Sequence, residues 1–280
     1  MSALISKLQR SLAARAVAHR ATFLLGTRFP DNFPFVFVLG FPKSGTTWAC
    51  QLVADYLRLP FPQFSILPHT FECVVHGHQI PTPRHSPLAY VVRDGRDAAV
   101  SFFHFELRHV RAGHPERLSK QVKAVFPHNP TSPEQCFPHF NDFLEVFFDN
   151  PPATAVAWHT HVRRFIEQRT ERQGLLRYEH LVSEGPEELG RCIADITGDT
   201  PEPDRLRWAI DKYDFSRQKK KADPTALRRK GGPGDWKNHF DPAAAQLFRD
   251  RAGDLLISLG YEPDTTWADH AENDPPALRA

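Results

Sequence analysis

Cysteine is scarce in this sequence. The four present among 280 residues, Cys50, Cys73, Cys136 and Cys192, lie far apart, and no two make a Cys-x-x-Cys pair. That spacing excludes a disulfide scaffold or a zinc ribbon and fits a reducing, cytoplasmic compartment. Long apolar runs are missing as well; none approaches the roughly 18–20 residues of a membrane span. Excess charge is missing too: Lys+Arg 35 against Asp+Glu 33 leaves a formal net charge of +2, which argues against a wholesale polyelectrolyte partner. Gly 15 and Pro 25 fall short of collagenous or low-complexity values, and there is no internal repeat. What is present is globular: 41% hydrophobic and 24% charged residues. At roughly 100–200 residues per domain, the length allows one or two domains and a sizeable core.

The first thirty residues contain no acid. Their charges are Lys7, Arg10, Arg15, Arg20 and Arg28, and Leu4, Leu8 and Leu12 recur at helical spacing. Three readings compete for this basic extension: an amphipathic helix packed on the domain, a helix lying on an anionic membrane surface, or an organellar transit peptide. A secretory signal fits poorly, because Arg15 and Arg20 break the apolar stretch.

Phe35 to Leu39 reads FVFVL, a short apolar run closed by Gly40 and Pro42, which predicts a buried strand. From Thr46 to Leu57 the apolar positions Trp48, Leu52, Val53, Tyr56 and Leu57 repeat at helical spacing. A strand therefore feeds a Gly/Ser/Thr loop that opens a helix. Unpaired N–H groups at a helix start carry partial positive charge, so an anion such as phosphate or sulfate is the natural occupant. Gly45 lets the backbone approach, Ser44, Thr46 and Thr47 add hydroxyls, and Lys43 adds a full charge. An ordinary N-capped helix would need Ser or Thr alone. The order is not that of a Walker A loop, since Lys43 precedes Gly45; this disfavours a metal-dependent NTPase.

The heptapeptide PKSGTTW resembles the phosphosulfate-binding loop of the sulfotransferases. The resemblance implies a single α/β domain with a mostly parallel sheet flanked by helices, related to the nucleotide kinases. It also implies 3′-phosphoadenosine 5′-phosphosulfate (PAPS) as co-substrate, adenosine 3′,5′-bisphosphate (PAP) as product, and no required metal. Four further segments carry it in the family's order. Pro87 to Val92 reads as a second strand ending in Arg93-Asp94-Gly95-Arg96-Asp97, with Ser101 in the following helix. Arg93 at a strand end can make bidentate contacts to phosphate, or it can pair with Asp97 across the turn. RDGRDAAVSFFHF is similar to the family's 3′-phosphate segment, which implies that role for Arg93 and Ser101.

Between the strands lies Val74-Val75-His76-Gly77-His78-Gln79-Ile80-Pro81. Transfer to a hydroxyl needs a base, and histidine titrates in the useful range. By the resemblance His78 is that base, and His76 stands where the family often has Lys. Ala153 to Arg172 is helical by pattern. Gly174 to Leu181 reads as a short strand running into a loop; there Tyr178 resembles an adenine-side contact, as does Trp48. Between Arg217 and Lys230 seven basic residues face one acid, Asp223, a pattern of a solvated face or a nucleic-acid patch. The segment RKGxxGDWKN, beginning at Arg229, resembles the C-terminal cofactor loop, so Arg229, Lys230 and Gly231 are expected to close over the 3′-phosphate; Phe215, in Tyr213-Asp214-Phe215, stands where the family has Thr-Ser-Phe near the adenine, with Tyr213 and Asp214 departing from that pattern. Asp241-Pro242 replaces the Thr-Val of a dimer motif found in many cytosolic members, so that interface is not carried over. A last helix from Pro242 to about Leu259 and a frayed tail from Ala268 complete the chain.

The resemblance covers roughly residues 34–262. It divides the chain into a basic extension at 1–30, a sulfotransferase domain at 31–265 and a C-terminal tail at 266–280. It implies in-line sulfuryl transfer from PAPS to an acceptor hydroxyl, with Lys43 stabilising the leaving oxygen and N–H groups of Ser44 to Thr47 holding the 5′-phosphate. The aromatics of 102–148 (Phe102, Phe103, Phe105, Phe126, Phe137, Phe140, Phe143, Phe147, Phe148) point to an apolar acceptor such as a phenol, sterol, lipid or polyketide alcohol. Two alternatives stay open: a P-loop-like small-molecule kinase using ATP, and a non-catalytic nucleic-acid binder using the 217–230 run.

Overall fold

The computed structural model describes residues 12–63, 65–213 and 232–271. Among these residues four short strands form one parallel sheet: β1 (Val36–Gly40), β2 (Val74–Gly77), β3 (Leu88–Val92) and β4 (Gln173–Arg177), in the order β2-β1-β3-β4. The helices are α1 (Leu12–Arg28), α2 (Thr46–Leu57), α3 (Gly95–Arg111), α4 (Lys120–Lys123), α5 (Phe140–Asp149), α6 (Trp158–Gln168), α7 (Tyr178–Ser183), α8 (Gly185–Thr197), α9 (Pro203–Lys212) and α10 (Pro242–Ser258).

The apolar runs are continuous because both sheet faces are covered. Alternate residues go to opposite faces. Phe35, Phe37 and Leu39 join Leu88, Tyr90 and Val92 on one face, packed with Phe23 of α1 and with apolar residues of α3, α5, α6 and α10. Val36 and Val38 join Ala89 and Val91 on the other, against residues of α2, α8 and α9. Each fully buried side chain of this size contributes about 1.5–3 kcal/mol of hydrophobic free energy, so the two layers hold the strand ends in register.

Because every strand runs the same way, the segments after Gly40, Gly77, Val92 and Arg177 all leave from one edge of the sheet, where open α/β sheets bind ligands.

Several elements depart from the sequence reading. Helix α6 spans Trp158–Gln168 rather than 153–172. Ala153 takes φ 63°, outside the right-handed helical region, and Arg169 is extended at φ −56°, ψ 133°. Strand β4 passes directly into α7 instead of a loop. The C-terminal tail does not fray at Ala268: Thr266–His270 is a short 3₁₀ turn with Trp267 and Ala268 in the core. The Arg96 guanidinium explains this, lying 3.8 Å from the Trp236 ring centroid and 4.4 Å from that of Trp267. Asp241 caps α10 by accepting from Ala244 N at 2.7 Å, with Pro242 at the first helical position. Helix α1 packs inward through Ala18, Thr22 and Phe23, and its Thr22 hydroxyl accepts from His69 N at 3.0 Å.

Candidate active site

The loop between β1 and α2 makes its turn with two positive φ values, 74° at Lys43 and 90° at Gly45. A side chain at Gly45 would be strained on that ground and would also collide, since a Cβ there would sit 2.6 Å from the Tyr178 ring. This close approach stacks α7 over the phosphate-type loop. Tyr178 meets Trp48 edge to face at 5.9 Å and carries the Arg93 guanidinium 4.6 Å from its centroid. Ser44 is wholly buried, and among the described residues its hydroxyl, the Trp48 indole N–H and Arg93 Nε have no hydrogen-bond partner. Buried donors without acceptors are costly. Three of them around a helix N-terminus fit an anionic ligand.

Two positive charges meet on that rim. Lys43 Nζ lies 4.4 Å from the Phe105 centroid, and Arg108 shares that ring at 3.5 Å. Burial first, then the positive charges of Arg108 and Arg93, pull the Lys43 pKa down to about 8.

The turn after β3 is braced from three sides. Arg93 donates to the Lys43 carbonyl at 3.2 Å, which ties the two anion-type loops together. Its distance to Asp97 is 4.0 Å. Asp97 makes its firm bonds elsewhere, accepting from Gly234 N at 2.7 Å and Trp236 N at 2.9 Å. Glu179 accepts from Asp94 N at 2.9 Å and from the Tyr261 hydroxyl at 3.0 Å. Ser101 is half-buried on α3, and no hydrogen bond joins it to Arg93 in the described residues.

His78 follows β2 directly. Its Nδ1 is 2.7 Å from the Gly40 carbonyl. A carbonyl only accepts, so Nδ1 carries the proton and the neutral ring keeps its lone pair on Nε2. Burial lowers its pKa; the Gly40 bond opposes this, and the Lys43 and His19 charges add to it. His76 meets His78 edge to face at 4.7 Å, and burial, with His78 and His19, pulls its pKa down to about 3. It is therefore neutral where the resemblance would have a lysine.

The structure thus brings Lys43, Ser44, Gly45, Thr46, Thr47, Trp48, His78, Arg93 and Tyr178 to one sheet edge, with Ser101 on the adjoining helix. Phe215, Arg229, Lys230 and Gly231 lie outside the described residues. The nine phenylalanines of 102–148 divide between the core and its partly buried margin. Phe102, Phe103, Phe126, Phe140, Phe143, Phe147 and Phe148 are core residues, while Phe105 and Phe137 are only partly buried. Sequence reasoning missed Arg108, Glu179, His19 and His161. Arg108 had no motif to mark it, and Glu179 lay in the segment read for Tyr178 but was given no role of its own. The histidines lie 59 residues before and 83 residues after His78, and His161 Nε2 reaches the His78 carbonyl at 3.2 Å.

Among the described residues no three or more His, Cys, Asp or Glu cluster as metal ligands, and no helix is long and apolar enough to cross a membrane.

Comparison with known proteins gives one consistent family. The model of the sulfotransferase domain matches residues 86–260. Cytosolic sulfotransferase 1 of Danio rerio is 24% identical over 78% of this chain and 80% of its own length. Sulfotransferase 1A1 of Bos taurus is 27% identical over 79% and 81%, and sulfotransferase 2A1 of Homo sapiens 26% over 80% and 86%. Among solved structures, mouse sulfotransferase SULT7A1 complexed with PAP superposes with a TM-score of 0.57 at 19% identity, covering 81% of this chain and 88% of that one. Retinol dehydratase in complex with androsterone and PAP gives 0.57 at 20%, covering 84% and 85%. At these identities the structural likeness speaks for the fold.

Proposed function

The chain belongs to the sulfotransferase family, and from that membership we propose that it moves a sulfuryl group from PAPS to an acceptor hydroxyl with His78 as the base. One observation carries the residue assignment: the His78 Nδ1–H···O=C Gly40 bond at 2.7 Å leaves Nε2 to take a proton, beside the charge of Lys43. The acceptor oxygen bonds to sulfur while the bond from sulfur to the bridging oxygen of the 5′-phosphate breaks. The hydroxyl proton goes to His78 Nε2, and PAP leaves. Lys43 balances charge on the departing oxygen. N–H groups of Ser44 to Thr47 hold the 5′-phosphate. Arg93 and Ser101, with Arg229, Lys230 and Gly231, hold the 3′-phosphate. Trp48, Tyr178 and Phe215 flank the adenine. The orphaned Ser44, Trp48 and Arg93 donors support this fit, as does the PAP named for two structural neighbours. In this reading the sulfotransferase domain is 31–265, preceded by a basic extension at 1–30, of which α1 packs on the domain, and followed by 266–280, whose Trp267 and Ala268 join the core.

The proposed acceptor is apolar. Support comes from Phe105, half-buried under Lys43, and from the androsterone and retinol named for retinol dehydratase. Cytoplasmic residence belongs to the same reading, supported by four buried, unpaired cysteines. The test uses purified protein, sulfur-labelled PAPS and a lipid extract of host cells. His78→Ala should lower label transfer by about 10²-fold or more while PAP affinity stays within about twofold of the parent. Undiminished transfer would place the base elsewhere.

A second observation favours a membrane-surface contact. Val17 and Leu24 are exposed at 67% and 63%, and Arg20 and Arg28 share their stripe on the outer face of α1. With no acid among residues 1–30, the matching partner is an anionic lipid surface. The protein should sediment with phosphatidylserine-containing vesicles and not with pure phosphatidylcholine, and Arg20→Glu with Arg28→Glu should abolish this. Equal sedimentation of parent and variant would reject it.

A further inference from the structure

The segment that carries His78 lies at the margin of the sheet. Among the described residues strand β2 is an edge, paired with β1 alone, so some of its backbone acceptors have no strand partner there. A buried carbonyl without a donor is costly, and a loop held only by its ends would let the His78 ring swing. Two other histidines supply the missing donors.

On one side is His19 of α1. Its Nε2 lies 2.9 Å from the His76 carbonyl, and its Nδ1 lies 3.2 Å from Gln79 Nε2. The amide N–H donates to Nδ1, which leaves Nε2 as the donor to the carbonyl. On the other side is His161 of α6, wholly buried. Its Nδ1 lies 2.7 Å from the Tyr90 hydroxyl and its Nε2 3.2 Å from the His78 carbonyl. Burial raises the Tyr90 pKa well above 10, so the hydroxyl keeps its proton and donates. Burial also pulls the His161 pKa down to about 4, which keeps the ring neutral. Tyr90 is itself held by Phe165, stacked at 4.2 Å.

The two arrangements use the same logic. A side-chain donor fixes the tautomer of a histidine, and that histidine donates to a backbone carbonyl of the base segment. His78 adds a third imidazole-to-carbonyl bond, to Gly40. The charged or titratable groups facing it are Lys43, His76, His19 and His161.

We propose that His19 and His161 are positioning residues that grip the base segment through the carbonyls of His76 and His78, and so hold the His78 ring in its Nδ1–H tautomer with Nε2 toward the transfer site. Its bearing on catalysis rests on the sulfotransferase reading, but the geometry itself can be tested without an acceptor. Helix α1 thereby becomes part of the catalytic apparatus, which gives the N-terminal extension a role that no family motif marks.

The experiment records long-range proton–nitrogen correlations of the imidazoles in histidine-labelled full-length protein, with PAP binding followed by calorimetry. In the parent, His78 should show a pyridine-type Nε2 and a protonated Nδ1. Tyr90→Phe and His19→Ala should each turn this into a mixture of tautomers, with PAP affinity within about twofold. His161→Gln, whose amide nitrogen can reach the position of Nε2, should keep the parent signature; it guards against a mere folding defect in His161→Ala. An unchanged His78 tautomer in both Tyr90→Phe and His19→Ala would overturn the proposal, and so would a loss of PAP affinity in parallel with the tautomer. Should the parent transfer no sulfuryl group while the tautomer responds as stated, the functional reading fails and the clamp stands.

Discussion

Lys43 and His78 are set by their surroundings to opposite protonation states. A proposed base must be neutral, and burial holds the His78 pKa below its ordinary value. The lysine must be charged, and its pKa near 8 leaves it mostly so at neutral pH. In the free enzyme kcat/KM should therefore rise with pH through a value below 6.5 and fall again near 8, a bell readable from a pH series of initial rates. Arg108 is the second cause of the low Lys43 value, so Arg108→Met should move the alkaline limb to higher pH. An unmoved limb would show that Lys43 is not the group titrating. His78 was legible from its place between two anion-type loops. Arg108 was not, because its meeting with Lys43 over the Phe105 ring depends on how α3 leaves the sheet, which no local spacing encodes.

Strand β1, the loop after it and α2 form the most legible element. The apolar run predicted the strand to within one residue, and the periodicity gave Thr46–Leu57 as observed. Local rules sufficed there because the segment is locally consistent. They failed where distant contacts decide. Ala153 breaks the expected helix with a positive φ that an alanine does not advertise. Trp267 is packed by Arg96 and Trp236, far away in sequence. Most of the phenylalanines of 102–148 went to the core, as hydrophobic residues near a helix usually do. Asp97 is the joint between elements, holding the backbone at Gly234 and Trp236 on α3. Asp97→Ala leaves both donors without an acceptor at about 1–3 kcal/mol each, so urea unfolding should show a loss of that order. A variant as stable as the parent would mean that the segment is held by other contacts.

At the scale of the whole molecule, one parallel sheet gathers the β1–α2 loop, the arginine turn, His78 and the α7 tyrosine where its strands end. A core layer packs on each face of the sheet, and α1 meets the margin beside β2 through His19 and Gln79. Ligand binding at the edge should stabilise the entire domain; at a PAP concentration of 100 times its dissociation constant the gain is about 2.7 kcal/mol, visible as a rise in melting temperature. The central claim is that this edge grips both phosphates of PAP, with Arg93 on the 3′-phosphate. Its most direct test is calorimetric titration of the parent and Arg93→Ala with PAP, adenosine 5′-phosphate and ATP. The account predicts that PAP binds more tightly than ATP, and that the substitution weakens PAP by about 10-fold or more, the loss of a charged hydrogen bond, while leaving adenosine 5′-phosphate within about twofold. Tight ATP binding with none for PAP, or equal losses for both adenosine phosphates, would contradict it.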